Sequence, residues 1–167
     1  MELIELWNAD EGKAYELFQS FPENDNGFEN MAWGLDEAAF SAFVEKKRRN
    51  SLGEDLPAGF VPDTVYILED DGKYVGIFNF RHFLNGFLKN GPGHIGYGIK
   101  ASERGKGYAT EGLKLLQQKV SKDLREDEFY LTCCIFNDAS LSVMLKCGAY
   151  IHHYDEKQYF TRLAKLS

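Results

Sequence analysis

Residues 99–110 read Ile99-Lys-Ala-Ser-Glu-Arg-Gly-Lys-Gly-Tyr-Ala-Thr110, and no other stretch of the chain indicates its fold as strongly. A predicted strand, His94–Ile99, enters a short polar turn, and the glycines at 105 and 107 then open a predicted amphipathic helix. Glycine has no Cβ, so backbone N–H groups beside it can approach a ligand closely. The first N–H groups of a helix lack partners and lie at the positive end of its dipole. The segment is therefore typical of a phosphate-binding loop.

Two other phosphate-binding motifs do not fit the chain. A P-loop needs Ser or Thr after its Gly-Lys pair, but Lys106 is followed by Gly107. A literal G-x-G-x-x-G spans Gly91–Gly96, yet it precedes a strand, whereas a dinucleotide-binding loop links a strand to a helix. Pro92 also removes an N–H group that a pyrophosphate would use. We interpret this second motif as a loop.

The other elements are predicted from apolar periodicity and from turn residues. Asp70-Asp71-Gly72 is typical of a hairpin turn, and a polar, aromatic-rich loop is predicted over Phe21–Gly34. The order is β-α-α-β-β-β-α-β-α-β-β, an α/β fold with a mixed sheet. The predicted strands are Glu2–Trp7, Thr64–Glu69, Tyr74–Phe83, His94–Ile99, Phe129–Phe136, Ala149–Tyr154 and Gln158–Leu163, and the helices are Asp10–Phe21, Asp36–Arg49, Gly105–Val120 and Asn137–Lys146.

The Arg104-x-x-Gly107-x-Ala109 pattern resembles the Gln/Arg-x-x-Gly-x-Gly/Ala signature of the GNAT family of N-acetyltransferases, which cradles the pyrophosphate of acetyl-CoA. The element order resembles that family over essentially the full length, so we expect one acetyltransferase domain over residues 1–167. The resemblance implies a GNAT-like acyl-CoA N-acyltransferase fold with a splayed central sheet, acetyl-CoA as co-substrate and no metal. It also implies a bulge in the strand that holds Tyr97–Ile99, which leaves a backbone amide free for the thioester oxygen.

A second motif, Asn137-x-x-Ser140-x-x-Val143-x-x-Lys146-x-Gly148, is similar to the GNAT branch that acetylates the N-termini of ribosomal proteins, and to uncharacterised bacterial members. In that branch the Asn bonds the pantetheine arm and the Ser lies near the CoA sulfur. Taken alone, Asn137 is equally typical of a helix N-cap. The resemblance implies cofactor-binding roles for Tyr97, Gly98, Ile99, Arg104, Gly105, Lys106, Gly107, Tyr108, Ala109, Thr110, Asn137, Ser140 and Met144.

The candidate catalytic residues are Ser140 and His94. Many family members carry a Tyr that protonates the leaving thiolate where this chain has Met144, which cannot donate a proton and is a wall of the thioester pocket or a core residue. Ser140 is therefore the candidate donor, although a hydroxyl at a helix start can act as a cap alone, and Tyr150 stays open as an alternative. His94 opens the strand beside the thioester site and titrates in the range of a general base, although a histidine there is also typical of the surface or the core.

The acceptor side is less defined by the sequence. The loop with Glu23, Asp25, Glu29 and Trp33 lies where family members build the acceptor pocket, and carboxylates with an aromatic ring suit a cation. A solvated loop anchored by its aromatic residues is the alternative. The Arg81-His82 pair could also face the acceptor groove.

Composition restricts the partners of the chain. A net charge of −7 and a pI near 5.1 argue against nucleic-acid binding. No apolar run approaches the length of a membrane span, and no Cys/His/Asp cluster has zinc spacing, so neither a membrane nor a metal partner is expected. Three cysteines, an odd number, predict a reduced cytoplasmic protein, and a homodimer stays open.

The resemblance, together with these observations, predicts an acetyl-CoA-dependent N-acetyltransferase that acts on a primary amine of a small molecule or peptide in a ternary complex. Two alternatives stay open. One is a CoA-binding sensor or interaction module without turnover, which Met144 would favour. The other is an acyltransferase with a non-amine acceptor on the same scaffold.

Overall fold

The computed structural model describes residues 1–167 and contains nine strands and five α-helices. Carboxylate caps begin the first two long helices: the Oδ1 atoms of Asp10 and Asp36 accept the N–H groups of Lys13 and Ala39 at 2.9 and 2.8 Å. In chain order the elements are β1 Glu2–Glu5, α1 Glu11–Gln19, β2 Asn24–Asp25, β3 Phe28–Glu29, α2 Glu37–Ser51, β4 Asp63–Asp70, β5 Lys73–Arg81, α3 Gly86–Lys89, β6 Ile95–Ile99, α4 Tyr108–Val120, β7 Glu128–Cys134, α5 Asp138–Lys146, β8 Tyr150–Tyr154 and β9 Gln158–Ala164.

The main strands form two antiparallel sheets that diverge from a common point. The first has the order β1-β4-β5-β6 and the second the order β7-β9-β8. An isolated bridge between Gly93 and Leu131 joins them just before β6 begins, and beyond it β6 and β7 no longer pair. The splayed central sheet and the mixed α/β class are therefore confirmed.

The helices cover opposite faces of the first sheet. One hydrophobic cluster joins Phe18 of α1 and Phe40 of α2 to Ile77 of β5. A second cluster joins Leu113 and Leu116 of α4 to Phe78, the next residue of β5, and extends to the second sheet. Successive strand residues point to opposite faces, so this alternation assigns α1 and α2 to one face and α4 to the other. No helix has the length and apolarity needed to cross a membrane.

Several predicted boundaries differ from the structure. The phosphate-loop helix begins at Tyr108, not Gly105, because Gly105 and Gly107 have positive φ angles of 77° and 87° and so lie outside a right-handed helix. The predicted loop Phe21–Gly34 contains the short β2–β3 hairpin, and α3 was not predicted. The bulge expected in the strand of Tyr97–Ile99 is also absent from its pairing with β5, which keeps one register over the whole of β6.

His94 lies where the two sheets separate. Its backbone N–H donates to the Tyr130 carbonyl at 2.7 Å, and its Nδ1 accepts the Tyr130 N–H at 2.9 Å. The other ring nitrogen, Nε2, therefore carries the proton and donates to Glu126 Oε2 at 3.0 Å. The side chain is 0% exposed, and burial lowers the pKa of His94 below its ordinary value. These contacts hold the neutral imidazole as a clamp between the sheets.

We expect His94→Gln to lower the free energy of unfolding by about 2–3 kcal/mol at neutral pH, because the Tyr130 N–H loses its buried acceptor. The free energy of unfolding should also fall more steeply with decreasing pH in the parent protein than in the His94→Gln variant. A histidine whose pKa is depressed in the folded state is protonated first in the unfolded chain, so stability is lost as pH falls below about 6.5. Urea denaturation at pH 7.5, 6.5 and 5.5 would measure both effects. Burial also lowers the pKa of His82, but this residue is present in both the parent and the variant. Identical slopes of unfolding free energy against pH in the two proteins would therefore contradict this role of His94.

Candidate functional site

A groove of about 1020 Å³ occupies the opening between β6 and β7 and extends over the α1–α2 face of the first sheet. Its walls come from β6, from the start of α4 and from the start of α5. The structure brings together eleven of the residues that the sequence assigned to the site, namely Tyr97, Gly98, Ile99, Arg104, Gly105, Gly107, Tyr108, Ala109, Thr110, Asn137 and Ser140.

The start of α4 presents free backbone donors to this groove. Gly107 is the N-cap residue and makes no side-chain capping bond, and the first intrahelical bond runs from the Glu111 N–H to the Gly107 carbonyl at 3.1 Å. The N–H groups of Tyr108, Ala109 and Thr110 therefore have no partner within the helix. An uncapped N-terminus that opens on a cavity is a ready anion site.

The open edge of β6 offers further backbone groups. The Lys100 N–H donates to Val75 across the β5–β6 pair at 2.9 Å, so the peptide groups of Tyr97 and Ile99 point to the opposite side. The Ile99 carbonyl on that side accepts a bond from Arg104 Nε at 3.0 Å. The splaying of the sheets thus supplies the free edge that a bulge was expected to supply.

Both cations of the glycine-bracketed loop are paired with carboxylates. The Arg104 guanidinium binds Asp25, which stands on β2, and Lys106 Nζ lies 2.7 Å from Glu103 Oε2. Arg104 and Asp25 both line the groove, whereas Lys106 does not. The structure therefore does not place Lys106 at the proposed pyrophosphate site.

The β2–β3 hairpin reaches from one side of the groove to the other. Asp25 binds Arg104 beside β6, and the Asn26 carbonyl accepts a bond from Asn137 Nδ2 at 3.4 Å beside α5. Phe28 packs over Gly98, where an added Cβ would come within 3.0 Å of its ring. Each strand of this hairpin has only two residues, too few for a periodic pattern from which these contacts could be predicted.

A hydroxyl pair links the two sides of the groove at Tyr97 and Ser140. The Tyr97 hydroxyl lies 2.9 Å from Ser140 Oγ and 3.3 Å from the Ser140 carbonyl, and its ring stacks on Phe78. The Ser140 N–H donates to Asn137 Oδ1 at 3.1 Å, which confirms that Asn137 caps α5 while it also lines the groove. Burial raises the pKa of Tyr97, so the phenol stays protonated and can act only as a neutral donor or relay.

Three residues considered for the site lie outside the groove: Met144, predicted as a cofactor-binding or core residue, the catalytic candidate His94, and Tyr150, the alternative proton donor. Met144 is 1% exposed in the main core, where its sulfur accepts a bond from Thr161 Oγ1 at 3.3 Å. His94 is the buried clamp described above, with both ring nitrogens engaged. Tyr150 is exposed, and its hydroxyl donates to Glu128 at 3.2 Å. None of the three lines the cavity.

The groove continues into a part that we name the second arm, lined by Lys47, Asp63, Asn79 and Arg81. Lys47 Nζ binds Asp63 Oδ2 at 2.7 Å in a buried ion pair. Of the residues expected at the acceptor side, Asp25, Glu29 and Arg81 line the cavity, while Glu23, Trp33 and His82 do not. Sequence reasoning missed Lys47, Asp63 and Asn79, because strand pairing and the packing of α2 bring them together.

Two exposed aromatic rings stand at the mouth of the second arm. Phe60 is 62% exposed and Phe87 is 77% exposed, and both line the cavity. Asn85 Nδ2 donates to the Gly59 carbonyl at 2.8 Å and so ties together the two loops that carry these rings.

Comparison with known proteins gives the family. A family model described as the acetyltransferase (GNAT) domain matches residues 3–150, most of the chain. The chain belongs to the GNAT family. None of the curated proteins compared with it matches.

Solved GNAT structures share the fold at low sequence identity. The microcin C7 self-immunity acetyltransferase MccE, solved with acetyl-CoA and AMP, is 18% identical with a TM-score of 0.67, over 98% of this chain and 92% of that one. Campylobacter jejuni PseH with acetyl coenzyme A is 11% identical with a TM-score of 0.64, over 99% of each chain. The Salmonella typhimurium enzyme that modifies the N-terminal serine of ribosomal protein L7/L12 is 16% identical with a TM-score of 0.63, over 99% of this chain and 94% of that one.

The groove of this GNAT acetyltransferase contains no metal-binding group. No three His, Cys, Asp or Glu side chains come together anywhere in the structure in a way that could hold an ion. Two of its three thiols are also poorly suited to act as nucleophiles, because burial raises the pKa of Cys133 to about 11 and raises that of Cys147 as well.

Proposed function

We propose that this GNAT acetyltransferase transfers the acetyl group of acetyl-CoA to a primary amine of a small molecule or peptide, by direct attack in a ternary complex. One observation carries the proposal. A single groove joins the uncapped start of α4, the Tyr97–Ser140 hydroxyl pair and the polar second arm, so a phosphate-bearing donor and an acceptor can lie in one cavity.

The binding of acetyl-CoA follows from the free donors at the groove. The N–H groups of Tyr108, Ala109 and Thr110 would hold the pyrophosphate, and the left-handed glycines of the loop let the backbone approach it. Asn137 and the open edge of β6 would bond the pantetheine arm. The bound acetyl-CoA of MccE and PseH supports this assignment.

The reaction needs few groups from the protein. The neutral amine attacks the thioester carbonyl, a C–N bond forms, the C–S bond breaks, the nitrogen loses one proton and the departing sulfur gains one. A Tyr97 or Ile99 amide on the free edge of β6 would stabilise the charge that develops on the carbonyl oxygen. Ser140, with Tyr97 behind it, would protonate the sulfur. Positioning in the groove can contribute roughly 7–11 kcal/mol, so a general base is not required, and we assign none.

An acceptor screen tests this proposal. The protein would be incubated with acetyl-CoA and a broad panel of primary amines and hydroxyl compounds. Release of free CoA would report turnover, and mass spectrometry would identify the products and measure the mass of the protein. We expect an acetylated amine and an unmodified protein mass. Turnover only on hydroxyl compounds, or acetyl-CoA binding without any turnover, would contradict the proposal. An acetyl group that accumulates on Cys133, Cys134 or Cys147 with acetyl-CoA alone, and is then transferred to an added acceptor, would contradict direct transfer.

The Asp25–Arg104 ion pair gives a prediction about acetyl-CoA affinity. Asp25→Asn should tighten acetyl-CoA binding by about two- to five-fold, because it removes a negative charge near the pyrophosphate site and frees the guanidinium from a partly exposed pair worth up to about 1 kcal/mol. Titration calorimetry would measure the change. Glu23→Gln, on the same loop but outside the groove, serves as the control. Weaker binding of Asp25→Asn would mean that Asp25 positions Arg104 and does not compete for it.

A further inference from the structure

The second arm lies on one face of the β4–β5 pair. Asp63 and Arg81 stand opposite each other in the strand register, and Asn79 precedes Arg81 by two residues, so all three side chains project to the same face. Asn79 is also paired with Gly96 of β6, where an added Cβ would meet nothing within 4 Å. The arm is therefore an open chamber with a polar floor next to β6.

Arg81 is a half-buried cation without an ion-pair partner. Its Nη1 donates to the Gly93 carbonyl at 3.2 Å, and no carboxylate lies within 4 Å of the guanidinium. Asp63, the carboxylate opposite it, is bound by Lys47. Lys47 thus neutralises Asp63, and Glu29, the other carboxylate that acts on Arg81, also lines the groove but lies beyond ion-pair distance, so the guanidinium is free to bind an anion. Burial lowers the pKa of Arg81, and the more distant charges of Asp63 and Glu29 offset this only in part.

Asn79 is the second unsatisfied group in the chamber. Its Oδ1 atom is the one buried side-chain oxygen or nitrogen in the protein that has no hydrogen-bond partner. A buried acceptor without a donor costs about 1–3 kcal/mol, and such groups are rare in native proteins. A donor from a ligand would remove this cost, and the open space over Gly96 gives that ligand room.

We propose that the acceptor of this enzyme is a primary amine that also carries an anionic group, a carboxylate or a phosphate, with Arg81 binding the anion and Asn79 Oδ1 accepting an N–H of the amine. The planar guanidinium matches both anions in a bidentate manner. Asn79 and Arg81 are two residues apart on one strand, about 7 Å between Cα atoms, so the amine and the anion belong to one compact region of the acceptor. Phe60 and Phe87 would contact an apolar body at the mouth. This inference rests on the proposed function.

Matched pairs of amines test the inference. Tyrosine and tyramine differ by a carboxylate, and phosphoethanolamine and ethanolamine differ by a phosphate. These pairs, within the acceptor screen, should show a kcat/KM at least about 30-fold higher for the anionic member of at least one pair, and the pair that responds identifies the anion. Acetyl transfer to neutral amines as fast as to their anionic partners would overturn the inference and leave the proposed function intact.

Variants of Arg81 test whether this side chain causes the preference for anionic amines. Arg81→Met should bring the two members of the responsive pair within about three-fold, mainly through KM, while Arg81→Lys should keep part of the preference. Arg48→Met, on the exposed surface of α2 and outside the groove, is the matched control. If Arg81→Met does not fold, Arg81→Gln takes its place. An Arg81→Met or Arg81→Gln protein that folds and keeps the full preference would contradict the assignment.

Asn79→Leu separates a binding role from a structural one. Replacing an unsatisfied polar group by an apolar group of similar size should leave the melting temperature equal or higher. The same variant should raise the KM of the amine about ten-fold. A lower melting temperature with unchanged KM would show that Asn79 serves the fold alone.

Should no amine be acetylated, the proposed function fails and the anion site is tested by binding. Phosphoethanolamine titrated into the parent protein should shift the Arg81 Nε–H resonance, and ethanolamine should not. The absence of any shift would overturn the inference as well.

Discussion

Gly107→Asp should weaken acetyl-CoA binding by about 10²–10³-fold. The new carboxylate would stand at the start of α4, among the N–H groups that would hold the pyrophosphate. A repulsion of about 4 kcal/mol between unit charges 4 Å apart near a protein surface corresponds to a loss of that size. Titration calorimetry with acetyl-CoA measures it, and thermal melting shows that the variant is folded.

The matched control for this prediction is Gly107→Asn. Gly107 has a φ of 87°, which any L residue adopts at a cost, but an added Cβ there meets nothing within 4 Å. Asn has the size of Asp, tolerates the left-handed region and carries no charge. We expect Gly107→Asn to bind acetyl-CoA within about ten-fold of the parent. Equal losses in the two variants would mean that backbone geometry, and not an anion site, explains the effect.

The second large effect concerns the proton that the CoA sulfur gains. If Ser140 supplies it, Ser140→Ala should lower kcat by about 10–10³-fold with little change in acetyl-CoA affinity. Tyr97→Phe removes the hydroxyl that lies 2.9 Å from Ser140 Oγ, so it should lower kcat in the same direction. Residues that act as a unit are non-additive, so the double variant should lose little more than Ser140→Ala alone.

The controls separate proton transfer from packing. Tyr154→Phe removes an exposed hydroxyl outside the groove and should leave kcat unchanged. The loss in Ser140→Ala should shrink at high pH, where a thiolate with a pKa of about 8.5 leaves without protonation. If Ser140→Ala keeps the full kcat at every pH, the Ser140 hydroxyl is not the proton donor. Water or the departing ammonium would then protonate the CoA sulfur.

Sequence reasoning performed best where local chemistry determines the backbone. The glycines at 105 and 107 have the left-handed φ angles that a phosphate-binding turn requires, and Asp71-Gly72 forms the hairpin turn between β4 and β5. Asn137 caps α5, as its residue type favours. In each case a few neighbouring residues determine the conformation, so the signal is present in the sequence itself.

The sequence was less informative where distant segments meet. Met144 follows Ser140 by one helical turn, but it is buried in the core because its sulfur packs against Thr161 of β9. The burial of His94 depends on Glu126 and Tyr130, which lie more than 30 residues away. The ion pair of Asp25 with Arg104 spans 79 positions. No local pattern encodes such contacts, and the acceptor side of the groove is built almost entirely from them.

The most direct measurement is a crystal structure of the protein with acetyl-CoA. We expect the pyrophosphate at the N–H groups of Tyr108, Ala109 and Thr110, with the thioester between β6 and β7 beside Ser140. We also expect the acetyl group at the entrance to the second arm. Acetyl-CoA bound at any other surface, or a pyrophosphate that makes no contact with the start of α4, would contradict it.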